Sequence, residues 1–310
     1  MKILFIALSG IGNTILATPM IQYVRQQYPG ARIDLLVHKK VFGECLRGAD
    51  VVDNIYPMDS LLDKIKTGMT CFMQRYNYSV CCFPSNKFQF NLLSFLIGAR
   101  KRCTHRYFVG NHLSFLMNGS IDADPTLHDV DQNMRLLSCL GLEIPRKYPP
   151  LLFHLDKQDK EFSLRFLKRH KITKKDHIIG VHAGGGPIGK QKRWGVKNFA
   201  KELNKKKGTI MIFGGPEEAH EKKNLQKLLN YKSYVFSGSL NRTASLIARC
   251  NYFLSNDTGL MHIASCFNIE QKAIFTGTSI SRTRPWNKKA NVIDLTNDIK
   301  FKYPFWSVDV

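Results

Sequence analysis

The sequence predicts an α/β protein made of two similar halves, each a parallel sheet covered by helices. Three observations carry this. Short apolar, β-branched runs alternate with helical patterns from the first residues onward. A proline-rich and then strongly charged stretch interrupts that rhythm near the middle, after which it restarts. The length of 310 residues is about twice that of a usual domain.

In order along the chain, Lys2 to Leu8 is a buried first strand. Met1-Lys2 before an apolar run has a faint look of a signal peptide, but the polar residues from Ser9 to Thr14 break the apolar region early and favour the strand. Ser9 to Thr14 is a glycine loop, Pro19 to Tyr28 a helix stopped by Gly30, and Ile33 to Val37 the second strand. Ser79 to Phe83 is a strand. Asn91 to Ala99 is a short apolar piece, well under the roughly 18 to 20 residues that span a bilayer. Val130 to Leu140 is a helix, with apolar residues at 130, 134, 136, 137 and 140, and ends at Gly141. Pro145, Pro149 and Pro150 and the polar stretch from Asp156 to Asp176 place the domain boundary, giving domains 1–150 and 151–310. Lys157 to Lys175 holds eight basic residues against two acids, either a solvated helix face or an anion-binding patch. Beyond it Ile178 to His182 is a strand, Ala183 to Gly189 a glycine loop and Val196 to Asn204 a helix. Thr209 to Phe213 is a strand ending at Gly214-Gly215-Pro216, Thr243 to Arg249 a helix, Tyr252 to Leu254 a strand and Gly259 to Cys266 a helix.

Composition narrows the function classes. With 44% hydrophobic and 11% aromatic residues the chain is not disordered. Its eight cysteines are scattered, without C-x-x-C or histidines at zinc spacing, and read as reduced core residues of a cytoplasmic protein. Lys and Arg number 46 against 24 acids, a net charge of +22, which implies an anionic partner: nucleic acid, a membrane surface or a phosphorylated substrate. No basic stripe with interleaved aromatics points to specific nucleic-acid binding.

Four motifs bear on chemistry. Gly10-Ile11-Gly12-Asn13 follows a strand and opens a helix, the arrangement in which backbone N–H groups cradle a phosphate. Ile15 breaks the dinucleotide fingerprint, and His38-Lys39-Lys40 replaces the acid expected after the second strand, a set suited to a 2′-phosphate if to any dinucleotide. Gly184 to Gln191 nearly spells a P-loop, but Gln191 has no hydroxyl for magnesium; with Tyr252 to Asp257 it leaves a nucleotide triphosphatase as an alternative. Asp122-Ala123-Asp124 and Asp129-Val130-Asp131 are D-x-D pairs of the kind that can hold a metal between phosphates, although carboxylates at a helix start also meet the dipole favourably. Ser255-Asn256-Asp257-Thr258-Gly259-Leu260-Met261-His262 is the most specific: an apolar strand delivers an aspartate, and a small turn opens a helix whose free N–H groups face the carboxyl end of the sheet. Helix capping explains Asp257 alone but not His262.

This last segment resembles the D-T-G-x-x-H motif of glycosyltransferase family 9, the heptosyltransferase family of lipopolysaccharide assembly. Gly12-Asn13 through Thr18-Pro19 is similar to the family's G-D-x-x-x-x-T-P opening, His128 to Gly141 to its helix before the interdomain link, and Lys192-Arg193-Trp194 to its K-x-W segment. The resemblance runs from about residue 1 to 286. It implies a GT-B fold, two Rossmann-like domains facing a central cleft, with the acceptor on the N-terminal side and a nucleoside-diphosphate sugar held by the C-terminal half. On this resemblance Lys192 neutralises the diphosphate, Thr258 and Gly259 offer it backbone N–H groups alongside Gly12, and Asp257 bonds the donor sugar with His262 nearby. Glu218 meets the ribose hydroxyls, and Ser239 and Leu240 flank the base. Fixed cations and helix dipoles then stabilise the leaving group without a metal or cofactor, in an inverting, direct displacement that makes Asp257 and Lys192 catalytic.

Two departures matter. The family's aspartate, expected as general base, is Asn13 here, and an amide cannot accept that proton. His38, His105 and Asp131 are the candidate substitutes, and a weak or inactive nucleotide- or carbohydrate-binding homologue is the rival. The chain also ends at Val310, soon after Arg284-Pro285-Trp286, so domain closure is expected to differ. The expected partners are a nucleotide sugar, an anionic surface glycan or lipid-linked acceptor met by Arg100, Arg102, His105 and Arg106, and the anionic inner face of the cytoplasmic membrane.

Overall fold

The computed structural model describes residues 1–107, 113–185 and 193–295. The chain divides into two compact units, Met1–His154 and Leu155–Val310. The division falls after Pro149-Pro150 because the next residues are still tied to the first unit: Leu152 N donates to Thr18 Oγ1 (2.9 Å) and His154 N to the Cys45 carbonyl (2.7 Å).

The first unit is a six-stranded sheet of β1 (Lys2–Ala7), β2 (Arg32–Val37), β3 (Asn54–Pro57), β4 (Tyr78–Cys81), β5 (Lys101–Arg106) and β6 (Gly119–Asp122), in the order β3-β2-β1-β4-β5-β6. The second is a six-stranded sheet of β7 (Ile178–His182), β8 (Thr209–Ile212), β9 (Ser233–Val235), β10 (Tyr252–Asn256), β11 (Glu270–Phe275) and β12 (Ala290–Asp294), ordered β12-β11-β10-β7-β8-β9. All pairings are parallel. Counted from its own first strand, each sheet has the doubly wound order 3-2-1-4-5-6. The direction of winding therefore reverses between β1 and β4, and again between β7 and β10, which opens a crevice at the carboxyl ends of those strands. Helices cover the sheets, and so β1 and β7 are buried on both faces and read as unbroken apolar runs.

The helices are α1 (Ile11–Gln27), α2 (Lys40–Gly43), α3 (Leu61–Gln74), α4 (Phe88–Leu96), α5 (Asp129–Arg135), α6 (Lys157–Arg169), α7 (Val196–Leu203), α8 (Ala219–Lys227), α9 (Leu240–Ile247), α10 (Gly259–Cys266) and α11 (Ile280–Thr283). Three differ from expectation. Helix α1 begins at Ile11, so the glycine loop is short and Pro19 lies inside the helix. Proline has no N–H to give to the Ile15 carbonyl, and Thr18 Oγ1 donates to that carbonyl instead (2.6 Å). The expected helix over 130–140 is α5 followed by a tighter 3₁₀ turn, Leu136–Leu140, closed by Gly141 at φ 73°. Helix α9 starts at Leu240, where Ser239 accepts from Arg242 N (3.4 Å) as its cap.

Each unit has its own core. Leu4, Ile6, Leu36, Phe90 and Ile97 pack in the first, and Ile179, Val181, Phe199, Leu203 and Leu254 in the second; burying each such side chain contributes about 1.5–3 kcal/mol. A carboxylate sits within the first core. Asp34 is fully buried and accepts from Tyr76 Oη (2.6 Å), Arg32 Nε (2.9 Å) and Asn54 Nδ2 (2.9 Å), the number of partners a buried charge requires. All eight cysteines are free thiols, Cys266 half-buried and the rest buried. The charged stretch after Asp156 is α6, capped by Asp156 accepting from Asp159 N (2.8 Å), with most of its basic residues turned to solvent.

Candidate functional site

In the second unit Asp257, Thr258, Gly259 and His262 follow the end of β10, and Glu218 reaches the end of β7 beside them, while Ser239 and Leu240 follow the edge strand β9. Strand β10 runs through buried Asn256 and releases the chain at Asp257. Thr258 then takes extended dihedrals (φ −148°, ψ 168°) and starts α10 at Gly259. Its hydroxyl does not cap the helix. It pairs with His182 Nδ1 at 2.9 Å, at the end of β7. With no acidic residue in its first turn, α10 keeps its N-terminal N–H groups and its positive dipole end for another acceptor.

His182 also meets Glu218, Nε2 to Oε2 at 2.9 Å. The ring thus bridges the Glu218 carboxylate and the Thr258 hydroxyl, which orients the threonine. Glu218 is 2% exposed and has further partners: Oε1 accepts from Gly185 N (2.8 Å), Oε2 from Gly215 N (3.1 Å), and an Arg193 guanidinium nitrogen stands 3.9 Å from Oε1. Gly184 makes this possible, since a Cβ there would lie 1.9 Å from Glu218 Oε1. Glu218, the residue expected to meet the ribose, holds together the loops after β7 and β8, while the neighbouring Glu217 is exposed.

Further bonds fix the loop ends. Asn256 Nδ2 donates to the carbonyls of Ala183 (2.9 Å) and Gly184 (2.8 Å), and its Oδ1 accepts from Trp194 N (3.2 Å). Trp194 packs edge-on against Phe199 at 5.3 Å. Lys222, buried, donates to the Gly214 carbonyl (2.8 Å) and to Ser237 Oγ, tying the loop after β8 to the one before Ser239 and Leu240. Burial pulls its pKa below the usual lysine value, against the pull of Glu218 and Glu217.

Asp257 is partly exposed, and its Oδ2 accepts from Thr278 Oγ1 (2.7 Å) in the loop after β11. His262, on the first turns of α10, is buried, and burial pushes its pKa down to about 4 against the opposing pull of Asp257. Its Nδ1 has no hydrogen-bond partner among the described residues. Lys192 and the loop from Gly186 to Gln191, with the P-loop-like lysine, lie outside the described residues.

In the first unit, Ala7 pairs with Val37, and so the Leu8–Gly10 loop and His38 emerge side by side at the carboxyl edge. Gly12 is buried and Asn13 partly exposed on the first turn of α1, which carries no acidic residue there. His38 is partly exposed and its pKa lies below the usual imidazole value, through burial and then the charges of Lys64 and Lys39. The proposed acceptor cluster does not assemble on the surface. His105 is 1% exposed, its Nε2 3.1 Å from the Gln132 carbonyl, and burial drives its pKa to about 3. Arg102 is tied to the carbonyls of Leu116 (2.8 Å) and Ala99 (2.9 Å), Arg106 to Asp122 (2.8 Å), and Arg100 is exposed. Cys103, Thr104 and His105 are buried in succession, so both faces of β5 are covered at this point, and the cover comes from parts of the chain distant in sequence. The first D-x-D pair is engaged locally, Asp122 with Arg106 and Asp124 accepting from Thr126 Oγ1 (2.6 Å). In the second, Asp129 is buried and Asp131 lies in the first turn of α5.

Sequence reasoning assigned no role to His182, Asn256, Lys222 or Thr278. The signal for the first two lay in polar residues closing strands that are otherwise apolar, just before a glycine run or an aspartate. Lys222 and Thr278 carry no local signal.

Comparison with known proteins agrees with this architecture. The sequence model of glycosyltransferase family 9 (heptosyltransferase) matches residues 73–304. Lipooligosaccharide heptosyltransferase 2 of Haemophilus ducreyi is 26% identical over 329 residues, covering 95% of this chain and 89% of that protein. The family 9 glycosyl transferase of Veillonella parvula superposes with a TM-score of 0.82 at 19% identity, covering 96% of this chain and 86% of the other. ADP-heptose lipopolysaccharide heptosyltransferase II of Escherichia coli does so with a TM-score of 0.76 at 23% identity, covering 94% and 90%. Both show the same GT-B fold.

Proposed function

Since the chain belongs to glycosyltransferase family 9, the heptosyltransferase family, we propose that it transfers heptose from a nucleoside-diphosphate donor to a lipopolysaccharide-type acceptor. The observation that carries this is the crevice between β7 and β10, where an uncapped helix N-terminus, Asp257 and His262 converge. A diphosphate fits the start of α10: the Thr258-Gly259 turn supplies N–H donors, and the dipole, with Lys192, takes up charge as the glycosidic bond breaks. Asp257, oriented by Thr278, accepts from a sugar hydroxyl. Displacement at the anomeric carbon by the acceptor oxygen then inverts the sugar, and these fixed charges perform what a metal would otherwise supply. The names of the Haemophilus ducreyi and Escherichia coli proteins, which act as heptosyltransferases, support heptose and an ADP-linked donor.

The missing carboxylate at Asn13 calls for another base. His105 is sealed in the core, whereas His38 is partly exposed beside the Gly10–Asn13 turn and is held neutral near pH 7, the state that accepts a proton. The eight free cysteines fit a reducing compartment and support a site of action on the cytoplasmic side.

Thermal unfolding against ADP, GDP, UDP and CMP, with magnesium and with EDTA, tests the pocket. Stabilisation by ADP in EDTA that disappears in Lys192→Ala is expected; no shift with any nucleotide would favour a binding homologue without this donor site.

A further inference from the structure

Helix α3 is built inside out. Ser60 and Asp63 form a reciprocal capping box at its start, so the helix is locally well specified. Yet Leu61, Leu62, Ile65, Met69, Phe72 and Met73 are all exposed, from 55% at Ile65 to 75% at Met73. At 3.6 residues per turn these positions fall on one arc about 120° wide. The opposite face buries Thr67, whose hydroxyl donates to the Pro57 carbonyl (3.0 Å), and Cys71, over the core that holds Tyr76. The apolar stripe is thus spare: the sheet is already covered by the small face of the helix.

The stripe continues onto α4. Phe72 packs across Gly98, where a Cβ would lie 3.5 Å from its ring, and a groove lined by Phe72, Met73 and Ile97 is rimmed by Arg75 and Arg100. Phe95 and Leu96 are exposed beside it, the Arg102 guanidinium 5.6 Å from the Phe95 ring centre. Charge completes the pattern. Between residues 61 and 102 the chain carries Lys64, Lys66, Arg75, Lys87, Arg100, Lys101 and Arg102 against the single acid Asp63. A contiguous apolar surface edged by cations, on a protein of net charge +22, matches a bilayer with anionic headgroups.

We infer that the outer face of α3 and the end of α4 form a membrane-docking surface: the apolar stripe enters the headgroup boundary and the flanking lysines and arginines meet anionic lipid phosphates. The stripe starts near the carboxyl edge of the sheet, where Lys64 and Lys87 act on His38. It would therefore hold that edge toward a lipid-anchored acceptor. This last point rests on the proposed transfer reaction, but docking itself does not.

The test is sedimentation of the full chain with vesicles of phosphatidylcholine alone or with about one third phosphatidylglycerol. Strong binding to the anionic vesicles and weak binding to the neutral ones is expected. Leu62→Gln/Ile65→Gln/Phe72→Gln should lower the anionic affinity at least about tenfold, and Lys66→Glu/Arg75→Glu should lower it and weaken its salt dependence, both with an unchanged melting point because the side chains are exposed. Undiminished binding by the apolar triple variant overturns the proposal. So does a wild type that binds neither vesicle, and so does a concentration-dependent dimer dissolved by the triple variant, which would assign the face to a second copy. Transfer to a soluble, delipidated acceptor should persist in both variants; its absence from the wild type would sink the transfer reaction and leave the docking result standing.

Discussion

Glu218 shows how one buried side chain can organise a site it need not touch. Removing its carboxylate leaves His182 and the N–H groups of Gly185 and Gly215 without their acceptor. Glu218→Ala is therefore expected to cost about 3–5 kcal/mol in urea unfolding, with Glu218→Gln retaining part of the loss. Asp257 acts differently, because it is partly exposed and held by Thr278. Asp257→Ala should abolish heptose transfer while the protein stays folded, and Thr278→Val should lower kcat with a smaller effect on stability. A fully active Asp257→Ala protein would remove Asp257 from the mechanism. If His38 is the base, His38→Ala lowers kcat by about a hundredfold or more and removes the acid limb of its pH profile, whereas Asn13→Asp preserves or raises the rate.

At the scale of elements, Thr18 and Pro19 are a matched pair within α1. The threonine hydroxyl donates to the Ile15 carbonyl and accepts from Leu152 N, so it repairs the helix and anchors the segment that leaves the first unit. Thr18→Val keeps the shape and loses both bonds. A destabilisation of about 1–3 kcal/mol is expected in denaturant unfolding. Thr18→Ser, which keeps the hydroxyl, should restore most of it. The same pairing explains why the sequence pattern places the helix start at Pro19 and the structure at Ile11. Proline marks a first turn in most helices, and nothing local shows that a neighbouring hydroxyl has taken over its missing hydrogen bond.

For the whole molecule, two buried imidazoles set a dependence of stability on pH. The folded His105 and His262 have pKa values near 3 and 4, while in the unfolded chain a histidine titrates near 6.5. Above about pH 6.5 both states hold these rings neutral, and the stabilisation is fully present. As pH falls below that value the unfolded chain takes up protons that the folded chain refuses, so stability is lost at about 1.4 kcal/mol per pH unit for each ring until the folded values are reached. The denaturant midpoint should fall from pH 7 to 5, and His105→Gln/His262→Gln should flatten that fall.

Much of this protein is determined by its sequence alone. The two α/β halves and the strand-to-helix turn at Asp257 follow from local chemistry, namely unbroken apolar runs for buried parallel strands and a glycine at a helix start, whereas the division at His154 rests on bonds back to Thr18 and Cys45. Tertiary structure decided which polar groups face inward. His105 lies in the core because β5 is covered on both faces there, Glu218 is turned under two glycine loops, and the apolar stripe of α3 points to solvent although its pattern reads as a core face. Periodicity defines a face but not the side on which the rest of the chain will pack, and that choice is made only when the sheet, its neighbours and their buried charges are assembled together.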